Sequence, residues 1–291
     1  PVGGGIVFSF SIVLSLFFIW CLNQLSNHLF LVLVIGGGVA TLFGFLDDLQ
    51  DIRANNKLIV QFLLGGWVVF WFDGGSLIYF QWLPSFVSIL ATLLFLVWLM
   101  NAYNFMDGID GMAISGAVFV SATMIGVLLW TRPESEFIPV MLLLLASTFA
   151  FMLFNWPPPS IFMGDSGSVF LGYIFGALIL FTFETGDISI CTWLVIFGYF
   201  LGDTTVTQLM RIILLKKWYL PHRSHAYQNL ARITGSHFKV TGGVVLYNVI
   251  WILPLSILSV MKPEMEIIAV ALAITPSVAF AYKYGPKLSS S

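Results

Sequence analysis

Long apolar runs alternate with short polar breaks along the whole chain. Roughly 17 to 25 apolar residues in a row is the length an α-helix needs to cross a lipid hydrocarbon core. About ten such runs occur, at 5–22, 29–46, 58–72, 84–100, 112–130, 137–155, 167–183, 190–214, 244–261 and 267–282, each closed by polar residues or by Pro and Gly. The run at 58–72 is short, and the one at 190–214 is long and interrupted by Gly202-Asp203. The pattern predicts an all-α polytopic membrane protein, with residues 1–291 as a single transmembrane domain and no soluble domain between the spans. The chain opens on Pro1-Val2-Gly3-Gly4-Gly5 without an initiator Met or a signal-peptide n-region, so it reads as N-terminally truncated. One further segment before it is expected, giving about eleven helices in the full bundle.

Composition narrows the class without changing it. Of 291 residues 59% are hydrophobic and 9% charged, with a mean hydropathy of +0.96, whereas soluble domains carry about a quarter charged residues. Cys21 and Cys191 both sit in apolar runs, which implies neither a disulfide framework nor a thiolate metal site. Charge placement then gives orientation. On this map Arg53, Lys57, Arg211, Lys216, Lys217, Arg223, Arg232, Lys239, Lys283 and Lys287 fall on one side, while Arg132 and Lys262 share the other with Asp73, Glu134, Glu136, Glu184, Asp187, Glu264 and Glu266. The positive-inside rule makes the first side cytoplasmic. Four polar segments, near 47–57, 101–111, 156–168 and 215–243, lie on that side and can share one site.

The densest chemistry is Asn101-Ala-Tyr-Asn104-Phe-Met-Asp107-Gly-Ile-Asp110-Gly111. Asn104, Asp107 and Asp110 recur every third residue, so on a helix each is turned roughly 60° from the last and all share a face. Carboxylates at the end of a membrane-length segment are costly to desolvate, which points to a cation or substrate as partner; simple solvation of a helix terminus is the bland alternative. In Gly44-Phe-Leu-Asp47-Asp48 the adjacent acids lie about 100° apart on a helix, which argues for divided roles or a shared cation. The loop Asn155 to Ser168 is stopped by Pro157, Pro158 and Pro159 and contains one acid, Asp165, a candidate hard-cation ligand; Ser166 and Ser168 are placed to cap the next helix. The stretch Lys216 to Gly243 opens as an interfacial belt and then gathers His222, Arg223 and His225, residue types suited to holding a polyanion. Asp203 is an intramembrane acid, either functional or paired with a neighbouring helix. No zinc-ligand spacing and no P-loop is present.

These motifs, in this order with the glycine stretch Pro1–Gly5, resemble those of the polyprenyl-phosphate N-acetylhexosamine-1-phosphate transferase superfamily, most closely the O-antigen-initiating subgroup. The resemblance implies catalytic roles for Asp47 and Asp48, Mg²⁺ (or Mn²⁺) ligation by Asp165 and Asn104, and substrate binding by Asp107, Asp110, Lys57, Arg223 and His225. Tyr227 and Gln228 stand where histidines are often found in the family, and a sugar-reading role is expected for them. The implied reaction is attack of undecaprenyl phosphate on a UDP-N-acetylamino sugar with release of UMP, at the cytoplasmic face of a bacterial inner membrane. Implied partners are those two substrates and membrane lipids, with a homodimer as one option and no nucleic acid. A transporter using the acids as an ion pathway is the competing class, but the motifs cluster at one face and not at the midplane.

Overall fold

The computed structural model describes residues 3–50, 52–72, 84–214 and 223–286. It is helical at each of the ten predicted runs. The helices are α1 (Gly5–Cys21), α2 (Asn27–Gln50), α3 (Ala54–Trp71), α4 (Ser85–Met106), α5 (Met112–Thr131), α6 (Phe137–Asn155), α7 (Asp165–Glu184), α8 (Ile190–Ile196), α9 (Gly198–Leu214), α10 (Ala226–Thr234), α11 (His237–Met261) and α12 (Pro263–Tyr284). Among the described residues, seven helices are long and apolar enough to cross a membrane, or eight if α8 and α9 count as one bent span. The expected ten is therefore high, for local reasons. The apolar helix α1 has only 17 residues, α3 opens on the polar turn Ala54-Asn55-Asn56-Lys57, and α8 and α9 are bent by 79°. At that bend Ser277 of α12 donates to the carbonyl of Gly198 at 2.9 Å, which ties the start of α9 to α12.

The bundle is built around α7, whose residues Ser166 to Thr182 are all buried and which packs against α1, α2 and α4. Part of α2, Phe30–Gly36, is π-helical, and neighbours take up carbonyls there: Tyr173 of α7 bonds Val32 at 2.9 Å and Trp67 of α3 bonds Leu31 at 3.0 Å. The two ends of the bundle differ in chemistry. One carries Ser26 bonded to Glu136, Arg132 beside Asp187, and Ser189 bonded to Glu266. The other gathers the C-termini of α2 and α4 with the N-termini of α3 and α7, and with them the acidic motifs.

Candidate active site

Lys57, in the first turn of α3, brings two distant acids together. Its Nζ lies 2.5 Å from Asp47 Oδ2 and 3.2 Å from Asp165 Oδ2, and the two carboxylates are themselves within hydrogen-bonding range. Asp47 is buried, and its other oxygen accepts the Ile52 amide at 2.8 Å, which holds the turn between α2 and α3. Asn104, in the last turn of α4, donates Nδ2 to Asp165 Oδ1 at 2.8 Å and to Ser168 Oγ at 3.0 Å. Both amide hydrogens thus serve α7, and its carbonyl oxygen is the remaining donor for a cation.

Asp48 faces elsewhere. Its oxygens accept the first two amides of α7, Asp165 N at 2.7 Å and Ser166 N at 3.1 Å, so it occupies the anion seat that a helix N-terminus offers. The expectation that Ser166 or Ser168 caps this helix is not met: their hydroxyls donate to the carbonyls of Met163 and Gly164. The approach depends on Gly164, which has φ +72° and where an added Cβ would meet the Asp48 carboxylate at 2.6 Å. Behind the loop, the amides of Gly4 and Gly5 bond the carbonyls of Phe162 and Met163, each at 2.9 Å, so the N-terminal glycines buttress Asp165.

Asp107 ends α4 and is half-buried. Burial, together with the carboxylates of Asp165, Asp48 and Asp110, holds its carboxyl well above the usual range, against the opposing effect of the Gly164 amide. Asp110 turns toward α11, where its carboxylate lies 2.6 Å from His237 Nδ1 and its carbonyl accepts Thr241 Oγ1 at 2.8 Å. Asn155 joins this turn to the proline loop, accepting from Gly111 N at 3.1 Å and donating to Ile161 O at 2.9 Å.

The loop 215–243 divides. His222, with residues 215–221, lies outside the described residues. Arg223 is exposed, and its carbonyl accepts from the Arg232 guanidinium. His225 is enclosed at the start of α10, 3.5 Å from Asp203. Tyr227 and Gln228 are buried too. His237 went unnoticed in the sequence, although Gly235-Ser236-His237, opening a helix in the flagged loop, was its signal.

Carboxylates outnumber cations here: Asp47, Asp48, Asp107 and Asp165 are close neighbours, and among the described residues Lys57 is the cation in contact with them. Among the described residues no group of three or more His, Cys, Asp or Glu is placed to cage a metal. The donor set is nonetheless hard oxygen, and Mg²⁺ ordinarily takes one or two carboxylates plus substrate phosphates and water. The residues present therefore fit a cation held jointly with a phosphorylated substrate.

A family model described as Glycosyl transferase family 4 matches residues 30–183, which contain Asp47, Asp48, Lys57, Asn104, Asp107, Asp110 and Asp165. Phospho-N-acetylmuramoyl-pentapeptide-transferase of Streptococcus pneumoniae serotype 19F (strain G54) is 34% identical over 195 residues, 61% of this chain and 58% of the relative. The protein of the same name from Streptococcus pneumoniae (strain 70585) is 33% identical over 195 residues with the same coverage. A probable undecaprenyl-phosphate N-acetylglucosaminyl 1-phosphate transferase of Bacillus subtilis (strain 168) is 28% identical over 260 residues, 81% of this chain and 71% of the relative. The chain thus spans somewhat more than half the length of the pneumococcal relatives.

Proposed function

The chain belongs to glycosyl transferase family 4, and from that premise we propose that it transfers an N-acetylamino-sugar 1-phosphate from UDP to undecaprenyl phosphate, releasing UMP, in the cytoplasmic membrane of a bacterium. The observation that carries this reading is the convergence of Asp47, Lys57, Asn104 and Asp165, from four separated segments, at one end of a bundle of membrane-length helices. A lipid phosphate can reach such a site from the bilayer and a nucleotide sugar from water.

In the proposed reaction an oxygen of the lipid phosphate attacks the sugar-linked phosphorus of the donor. The bond from that phosphorus to the bridging oxygen breaks, and UMP leaves with the bridging oxygen. Phosphoryl transfer demands in-line positioning and charge neutralisation more than covalent help. Asp47 is the acid assigned to take a residual proton from the lipid phosphate, because its Oδ2 faces Lys57, the cation that would orient that phosphate, whereas both oxygens of Asp48 face the amides of α7. Lys57, free to exchange its carboxylate contacts for phosphate oxygens, orients the incoming lipid phosphate. Asp165 and the Asn104 carbonyl would hold Mg²⁺ or Mn²⁺, which supplies positive charge at the donor diphosphate. The need is large, because a carboxylate and a phosphate about 4 Å apart repel by about 4 kcal/mol at an effective dielectric constant of about 20.

Asp107 and Asp110 border the donor in this reading, and Arg223 contributes a phosphate contact from the rim. His225, enclosed at the start of α10, would serve substrate binding through that helix. The alignment with the Bacillus relative runs over more of the chain than the pneumococcal ones, which favours a UDP-N-acetylglucosamine-type donor and the start of an O-antigen or related envelope polysaccharide. The higher identity of the pneumococcal relative supports a second reading, a UDP-linked muramoyl-peptide donor. Purified protein should release UMP from one of these donors only when polyprenyl phosphate is added. Release that ignores the lipid would overturn the transferase reading, and the donor that works decides between the two sugars.

A further inference from the structure

Asp203, fully enclosed within α9, has no place in the chemistry described above. Its Oδ1 accepts the Ala226 amide at 3.2 Å and the Thr207 hydroxyl at 3.0 Å, and its Oδ2 accepts the Tyr227 amide at 3.2 Å. A carboxylate is costly to bury, and three donors offset that cost while fixing the first two residues of α10. Those bonds set the direction of the Tyr227 side chain. Its ring is enclosed, packed on His225, which in turn lies against Phe105. Its hydroxyl donates to the Phe105 carbonyl at 2.6 Å and accepts the Gly108 amide at 3.0 Å.

One phenol thus bridges the backbone on both sides of Asp107 and closes the turn that carries it. Burial holds that phenol protonated far above its ordinary range, so it keeps both bonds. The fit is close: a Cβ on Gly108 would clash with the Tyr227 oxygen and the Gln228 amide nitrogen. Asp48 does the same kind of work on the other side of the site, accepting the first two amides of α7. We propose that Asp203 and Tyr227 are positioning residues for donor binding: through the amides of α10 and the Tyr227 hydroxyl they set the turn that aims Asp107. The inference deepens the transferase reading and rests on it for the identity of the ligand.

The test uses the full chain in lipid nanodiscs. Tyr227→Phe keeps the enclosed ring and removes only the bridging oxygen. It should speed hydrogen exchange of the Gly108 amide by about tenfold, since one hydrogen bond is lost. It should also weaken UDP-N-acetylglucosamine binding in Mg²⁺ several-fold with Tm little changed. In an Asp107→Asn background the same change should weaken donor binding by less than about twofold, because residues acting through one group are non-additive. Asp203→Asn should raise exchange at Gly108 from a distance; should that variant not fold, Tyr227→Phe alone decides. Unchanged Gly108 exchange in Tyr227→Phe, or full multiplication of the two losses, would overturn the proposal. If wild-type protein bound no nucleotide sugar, the transferase reading would fail, while the exchange measurement would still decide whether Tyr227 sets the turn.

Discussion

Asp47 and Asp48 are neighbours in sequence with different surroundings, the one against Lys57 and the other against the amides of α7. Replacing Asp48 by Ala removes a two-amide cap and should destabilise the protein by about 1–2 kcal/mol, seen as a fall in Tm, with activity lost alongside. Asp165→Asn should instead abolish transfer with Tm largely retained, since Asn keeps the shape and one acceptor. Equal Tm losses in both would erase the distinction. The raised pKa of Asp107 makes a separate prediction. The folded protein binds that proton more tightly than the unfolded chain, so the stability it contributes is complete below the ordinary carboxylate range and is lost as pH climbs through the raised value. In chelator, Tm should fall as pH rises above the ordinary carboxylate range, and fall less in Asp107→Asn. A wild-type slope no steeper than the variant's would contradict this. At this scale the acids and Asn104 were legible in the sequence, because hard-oxygen residues beside membrane-length runs are rare. Which amides Asp48 would cap, and that His237 would meet Asp110, depends on packing between segments over a hundred residues apart, which periodicity does not carry.

At the scale of elements, each apolar run became a helix, and the errors lie where helices break or begin polar. The run at 190–214 contains enough apolar residues for one span, yet it bends at Phe197 because Gly198 packs against Ala273 and its carbonyl finds Ser277. The hydrophobic pattern could not show this, since the partner lies on α12. Ser277→Ala removes the side-chain hydrogen bond that joins the bend to α12 and should cost about 1 kcal/mol, measurable as a lower Tm. A neutral outcome would mean that the bend is held by backbone packing alone. The enclosure of Tyr227 and Gln228 was equally hidden, because a polar loop that folds inward has the same composition as one that faces water.

The whole molecule is a membrane bundle with its carboxylate cluster at one end and a separate set of polar pairs at the other. One ammonium facing several acids cannot by itself accommodate two incoming phosphates, so transfer should stop in chelator and return with millimolar Mg²⁺ or Mn²⁺. Full activity in chelator would remove the cation from the account. The most direct measurement of the central claim follows an isotope. With radiophosphorus in the sugar-linked phosphate of the UDP-sugar, purified protein, Mg²⁺ and undecaprenyl phosphate, the label should move into the lipid fraction in step with release of unlabelled UMP. Label that stays with the nucleotide, or appears as inorganic phosphate or free sugar phosphate, would contradict transfer to the lipid.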